Sequence, residues 1–151
     1  MEFPQDFSDF LSCLHAEGVR YLVVGGYAVC LHGHPRYTGD LDVWIANDLA
    51  NATRVSVALR RFGFDLPDVK PESFTGDDVI VRMGVEPLCI ELFTKQPGVT
   101  FTECEPHALV QRTGAVEARF IGLADLKRSK QASGRAKDLA DLEELGGPDG
   151  Q

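Results

Sequence analysis

Two aspartates separated by one residue stand in the run Asp40-Leu41-Asp42-Val43-Trp44-Ile45. The run is rich in β-branched and aromatic residues and reads as a strand. Side chains alternate faces along a strand, so both carboxylates point one way while Leu41, Val43 and Ile45 point into a core. Carboxylates placed side by side repel each other and call for a cation between them. Magnesium fits that demand, because it binds through one or two carboxylates plus waters and substrate phosphates. Upstream, the apolar run Tyr21-Leu22-Val23-Val24 ends abruptly in Gly25-Gly26. Glycines between a strand and a helix allow a tight turn and bring backbone N–H groups against an anion. A phosphate cradle beside a metal-binding carboxylate pair is a site for a nucleoside triphosphate. Each motif alone is common, since Gly-Gly pairs often just end strands and Asp-x-Asp occurs on many surface strands. Their order and spacing together carry the inference.

A third acid stands further along, in Leu88-Cys89-Ile90-Glu91-Leu92-Phe93. This run reads as a strand paired with Asp78–Arg82 across the turn 83–87. Glu91 is flanked by apolar residues, and two readings are open. It either lies in water on an edge strand or completes the acidic site beside Asp40 and Asp42. Asp77 and Asp78 are rivals for the third position, although carboxylates at a strand start are ordinary. His32-x-His34 carries two imidazoles, but without a third ligand nearby they read more simply as turn or helix-end histidines. Trp44 shares the carboxylate face, where it either stacks on a base or serves packing.

Around these residues the chain reads as one α/β (α+β) domain over residues 1–146, with a frayed tail at 147–151. A helix over 4–17 carries Phe7, Phe10, Leu11 and Leu14 on one face. A short helix follows the glycines at 27–31. Asn47 or Asp48 caps a helix over 49–62, with Val55, Ala58, Leu59 and Phe62 inward and Gly63 as its stop. Residues 64–76 read as a loop with room for one short strand, and Glu103–Arg112 is expected as a short helix. Val116–Ile121 alternates as a strand. Two C-terminal helices, 123–132 and 135–145, break at Ser133-Gly134, with Leu139, Leu142 and Leu145 marking a core face on the last.

The chain has 151 residues, 44% of them hydrophobic, which is enough for one core. No apolar run is long enough to span a bilayer, and the N-terminus lacks the pattern of a signal peptide, so a cytoplasmic protein without membrane attachment is expected. The four cysteines are scattered, which fits reduced thiols better than a disulfide framework or a zinc site. A net charge of −8 argues against a broad nucleic-acid footprint. Positive charge instead crowds one C-terminal stretch, with Lys127, Arg128, Lys130, Arg135 and Lys137. By composition alone this group is a solvated helix face.

Gly25-Gly26, a helix, then Arg36-x-Thr38-x-Asp40-Leu41-Asp42 resembles the signature of the DNA polymerase beta-like nucleotidyltransferase superfamily, in its small prokaryotic branch. The tail Leu126-x-x-x-Lys130-x-x-x-Gly134-Arg135-x-Lys137-Asp138-Leu139-Ala140-Asp141-Leu142 is similar to that of abortive-infection type nucleotidyltransferases, many of them toxins of toxin–antitoxin pairs. The two matches span Val23 to Leu145. The resemblance implies a mixed β-sheet flanked by helices and transfer of a nucleotide from a nucleoside triphosphate to a hydroxyl, with release of pyrophosphate. It assigns Gly25 and Gly26 to the triphosphate, Asp40 and Asp42 to metal, and Glu91 to the third acidic position. Such chemistry uses two magnesium ions, with manganese as the alternative, to activate the attacking hydroxyl and steady the leaving oxygen. Arg36, Thr38, Lys130, Arg135 and Lys137 become candidates for the nucleotide-binding side, with Asp138 orienting Arg135 or Lys130. The acceptor is expected among small molecules, protein hydroxyls and tRNA ends. The small size calls for a partner to complete the site, and an antitoxin and a homo-oligomer are the associations considered. The competing expectation is a non-catalytic nucleotide- or partner-binding module on the same fold.

Overall fold

The computed structural model describes residues 2–149 apart from positions 34, 36, 66, 86 and 87, so His34 and Arg36 lie outside the described residues. Six strands form one mixed sheet: β1 (Tyr21–Val24), β2 (Asp40–Ile45), β3 (Ile80–Val85), β4 (Leu88–Phe93), β5 (Leu109–Thr113) and β6 (Val116–Phe120). Their order is β3-β4-β2-β1-β6-β5. All four residues of β1 are buried, as a continuous apolar run requires when both faces of a strand are covered. It pairs antiparallel with β2 and parallel with β6, and β2 in turn runs parallel to β4. The β3–β4 and β5–β6 pairs are antiparallel.

The helices are α1 (Gln5–Ala16), α2 (Gly25–Leu31), α3 (Leu49–Phe62), the single turn α4 (Phe101–Cys104), α5 (Leu123–Ser133) and α6 (Ala136–Glu144). Phe7, Phe10, Leu11 and Leu14 of α1 are buried, as their three-four spacing predicts. The Asp48 carboxylate accepts from Asn51 N at 2.9 Å and caps α3, and Gly63 stops that helix at a left-handed φ of 115°. No helix among the described residues is long and apolar enough to cross a membrane.

Three expectations need correction. Glu103–Arg112 is not one helix: it is helical only to Cys104, a 3-10 turn follows at Glu105–His107, and Leu109–Thr113 is an edge strand. Pro106 cannot continue the helical ladder, and pairing with β6 gives the backbone other partners. Leu109 and Val110 are both exposed, so the strand lacks the alternation that would reveal it. Second, β3 runs Ile80–Val85 instead of Asp78–Arg82: Val79 N is drawn to the Thr94 hydroxyl at 2.8 Å, and Met83 to Val85 pair with β4 instead of belonging to the turn expected over 83–87. Third, Leu139 is exposed while Leu142 is buried. The inward face of α6 also carries the buried Asp138 and Asp141, which turns Leu139 outward.

Asn51 fastens the entry to β1 to the exit from β2. Its side chain is buried, accepts from Arg20 N at 2.7 Å, and donates to Arg20 O at 3.1 Å and Ala46 O at 2.8 Å. Replacing it would strand backbone groups away from water. Asn51→Ala is expected to destabilise the fold by about 2–3 kcal/mol, read as a lowered midpoint in urea without a change in slope.

Candidate active site

The register of the sheet gathers the acids. Asp42 on β2 lies directly across from Glu91 on β4, and Asp40 lies across from Cys89. Partners in adjacent strands point to the same face, so Asp40, Asp42 and Glu91 share one face of neighbouring strands. The strand that carries Glu91 is interior, flanked by β3 and β2, so the edge-strand reading does not hold. A residue the sequence reading passed over is also drawn in. Arg82 on β3 pairs across from Glu91 and forms an ion pair with its carboxylate, and its Nη1 stands 3.6 Å from Asp40 Oδ2.

Asp42 is left apart. It makes no hydrogen bond or ion pair among the described residues, and it is half-buried. Burial, then the charge of Glu91, then that of Asp40 push its pKa up to about 6, while Lys137 and Lys130 pull the other way. Gly25 is fitted to this carboxylate. Its φ of 68° is left-handed, and a Cβ there would fall 2.1 Å from Asp42 Oδ2. A glycine is therefore required at this position by the neighbouring acid as well as by the turn.

A cavity of about 670 Å³ opens over Asp42. Gly25, Gly26 and Asp42 line one side, while Lys130, Arg135, Lys137 and Asp138 line another; Asp78, Ile80, Phe93 and Lys95 complete much of the wall. The structure thus brings Gly25, Gly26, Asp42, Lys130, Arg135, Lys137 and Asp138 around one space. Asp40, Glu91 and Thr38 do not line it; the Thr38 hydroxyl donates to Asp40 O at 3.3 Å, at the start of β2. Arg36 lies outside the described residues.

The basic residues divide into two kinds. Lys130 is buried, and its Nζ donates to Asp138 Oδ1 at 3.2 Å and Asp141 Oδ2 at 3.0 Å. Arg135 Nε donates to Asp138 Oδ2 at 2.9 Å. Burial pushes the Asp138 carboxyl up, but hydrogen bonds from Ser133, Lys130 and Arg135 and the Lys130 charge carry it below the usual carboxylate range. These charges are largely matched within α5 and α6. Lys137 and Lys95 are exposed, line the cavity, and make no ion pair among the described residues. Lys95 and Asp141 also line this space, Asp141 having stood only in the C-terminal motif without a role and Lys95 in no motif. Asp141 was legible as a second acid one helical turn beyond Asp138, whereas nothing local marks Lys95.

Other candidates have structural roles. The His32 ring Nε2 donates to Ile121 O at 2.8 Å, which ties the end of α2 to the end of β6. Trp44 is buried and packs edge-on against Phe101 with ring centroids 5.3 Å apart. None of the four cysteines takes part in a disulfide. Among the described residues no group of three or more His, Cys, Asp or Glu side chains is gathered as a ready cage for a metal. The donor set still suits a hard divalent cation. Asp42 is an unpartnered carboxylate oxygen donor beside two further acids, and nucleotide phosphates and waters make up the remaining ligands of magnesium in sites of this kind.

Two solved structures share the architecture. One is a candidate nucleotidyltransferase from Thermotoga maritima, with a TM-score of 0.63, 12% identity, and coverage of 91% of this chain and 88% of that one. The other is an antigenic nucleotidyltransferase-like protein from Paracoccidioides brasiliensis, with a TM-score of 0.57, 18% identity, and coverage of 91% and 71%. The fold is nucleotidyltransferase-like. No protein-family model and no curated protein matches the sequence.

The raised pKa of Asp42 has a consequence for stability. An acid whose pKa is higher folded than unfolded costs stability once it ionises, so this cost appears as pH rises through the interval from 3.8 to about 6. Asp42→Asn removes it. The variant is expected to be more stable than wild type by on the order of 1–2 kcal/mol at pH 8, the half-exposed site reducing the full conversion. The gain should fall to about half near pH 5. Thermal melts of both proteins across pH 5–8 check this, and a destabilised variant at pH 8 would show that Asp42 holds the fold together.

Proposed function

We propose that this chain is a magnesium-dependent nucleotidyltransferase, moving a nucleoside monophosphate from a nucleoside triphosphate to a hydroxyl acceptor with release of pyrophosphate. The observation that carries the reading is Asp42: an unpartnered carboxylate, destabilising in its charged form, at the wall of a cavity whose far side bears free cations. A fold keeps such a group where a ligand needs it. Magnesium, when bound, would withdraw charge from the phosphoryl oxygens and lower the barrier to in-line displacement. Asp42 would hold that ion, while Arg82 engages Asp40 and Glu91.

The rest falls to the protein's own side chains. Lys137 and Lys95 have charge to offer the triphosphate, and Arg135 is exposed enough to extend it. Lys130 acts at one remove, by holding Asp138 and Asp141 and so fixing α6 against α5. Gly25 and Gly26 let the triphosphate approach the backbone closely. Positioning and charge neutralisation supply most of the rate in phosphoryl-type transfers, and the proton of the attacking hydroxyl would leave to solvent. The C-terminal motif extends the proposal to the toxin of a toxin–antitoxin pair, whose acceptor is a small molecule, a protein hydroxyl or a tRNA end.

One observation favours a second reading, a nucleotide-binding module without turnover. Arg82 already occupies Asp40 and Glu91, two of the three acids. Both readings require magnesium-dependent nucleotide binding, and only the first requires transfer. Calorimetric titration of each nucleoside triphosphate is expected to give binding that depends on magnesium. Asp42→Asn should weaken it about 100-fold or more, equivalent to roughly 2.7 kcal/mol. The apparent magnesium affinity should climb as pH rises through about 6, since proton and ion compete for Asp42. Labelled nucleotide appearing in a cell-extract acceptor, and not with Asp42→Asn, identifies the enzyme. Unchanged binding in the variant would remove the site.

A further inference from the structure

Arg82 holds the place where an ion bridging Asp40 and Glu91 would have to sit. It projects from the edge strand β3, directly across from Glu91. Its Nη1 is hydrogen-bonded to Glu91 Oε1 and lies 3.6 Å from Asp40 Oδ2, while Nη2 donates to Cys89 Sγ at 3.2 Å. One planar fork therefore meets groups on both β2 and β4. Guanidinium stays charged at any working pH and is shaped to engage carboxylate oxygens side by side. Cys89 is buried, so this anchor fixes the fork from below.

We propose that Arg82 supplies, within the chain, the second positive charge of this site, so that the chain takes a single divalent cation on the Asp42 side and not two. The inference rests on the reading of Asp42 as a cation-binding residue. It gives Arg82 a positioning role and Glu91 the task of holding Arg82 instead of a metal. Charge balance points the same way. Arg82 already offsets Asp40 and Glu91, which leaves Asp42 as the acid whose charge is open to an ion. A second ion held by Asp40 and Glu91 would have to displace the guanidinium from both acids and from the Cys89 sulfur. Leaving Arg82 crowded against that ion would set like charges together at short range. Asp42 alone among the three acids is clear of Arg82 and open to the cavity.

The test counts bound Mn²⁺ by electron paramagnetic resonance on the full chain, saturated with a non-hydrolysable ATP analogue. Wild type is expected to hold one ion per chain, whereas Arg82→Gln, which keeps a polar side chain but loses the charge, is expected to hold about two. Arg82→Lys, which keeps the charge, should stay at one and serves where Arg82→Gln fails to fold. Two ions in wild type or in Arg82→Lys would overturn the inference and leave the nucleotidyltransferase reading standing. One ion in both wild type and a folded Arg82→Gln would overturn it equally. No nucleotide-dependent ion in wild type would overturn both.

Discussion

Mutual repulsion among three carboxylates on one sheet face is the constraint on which the arrangement depends. Parallel pairing of β2 with β4 sets Asp42 opposite Glu91, and the period of a strand then brings Asp40 to the same face. Nothing in the hydrophobic core calls for those acids there. Leu41, Val43 and Ile45, fully buried on the opposite face, would hold β2 in the sheet whatever stood at 40 and 42. The fold answers the repulsion in two different ways. Arg82 neutralises Asp40 and Glu91 from the neighbouring strand, whereas Asp42 is left with only the more distant Lys137 and Lys130. That asymmetry separates a structural half of the acidic cluster from a half that faces the cavity.

Gly25 couples the acidic face to the glycine turn. Val24 lies across from Asp42, and the turn from β1 into α2 then brings Gly25 against that side chain. A methyl group there would overlap Asp42 Oδ2, and the left-handed backbone adds its own penalty for any residue with a Cβ. The glycine and the aspartate are thus two sides of one packing decision. Seen as sequence, they are separate motifs.

Much of the frame was legible because its elements carry strong local signals. The apolar run at Tyr21–Val24, the Asp48 cap, the Gly63 stop and the apolar stripe of α1 each follow from residue type and spacing. The convergence of Gly25, Gly26, Asp42 and the basic residues of α5 and α6 was legible in kind, through ordered motifs. What local signals could not supply was which charges would spend themselves on one another. Lys130 reads as a candidate phosphate ligand until α6 folds back and brings Asp138 and Asp141 to its Nζ. Arg82 reads only as the end of a strand until hairpin register sets it across from Glu91. Strand β5 was hidden for a different reason: with Leu109 and Val110 both exposed, it has no buried face to impose alternation.

The buried cluster of Lys130, Asp138 and Asp141 bears on how the basic wall is held. Burial makes each of these charges costly alone, and the trio is tolerable only because the carboxylates and the ammonium satisfy one another. Such a pairing adds little net stability compared with an apolar contact of the same size, but it fixes a geometry, because a charged group cannot slide to a new partner as a leucine can. Asp138 extends the fix outward, since its second oxygen takes hydrogen bonds from Ser133 and Arg135 across the break between α5 and α6. The left-handed Gly134 lets the chain turn sharply at that break. Lys137 follows one residue before Asp138, on the exposed side of the same helical turn, so the network that immobilises Asp138 also sets where Lys137 leaves the backbone. A lysine with a fixed origin and a free end beside an unpartnered aspartate can meet a phosphate without first breaking an ion pair.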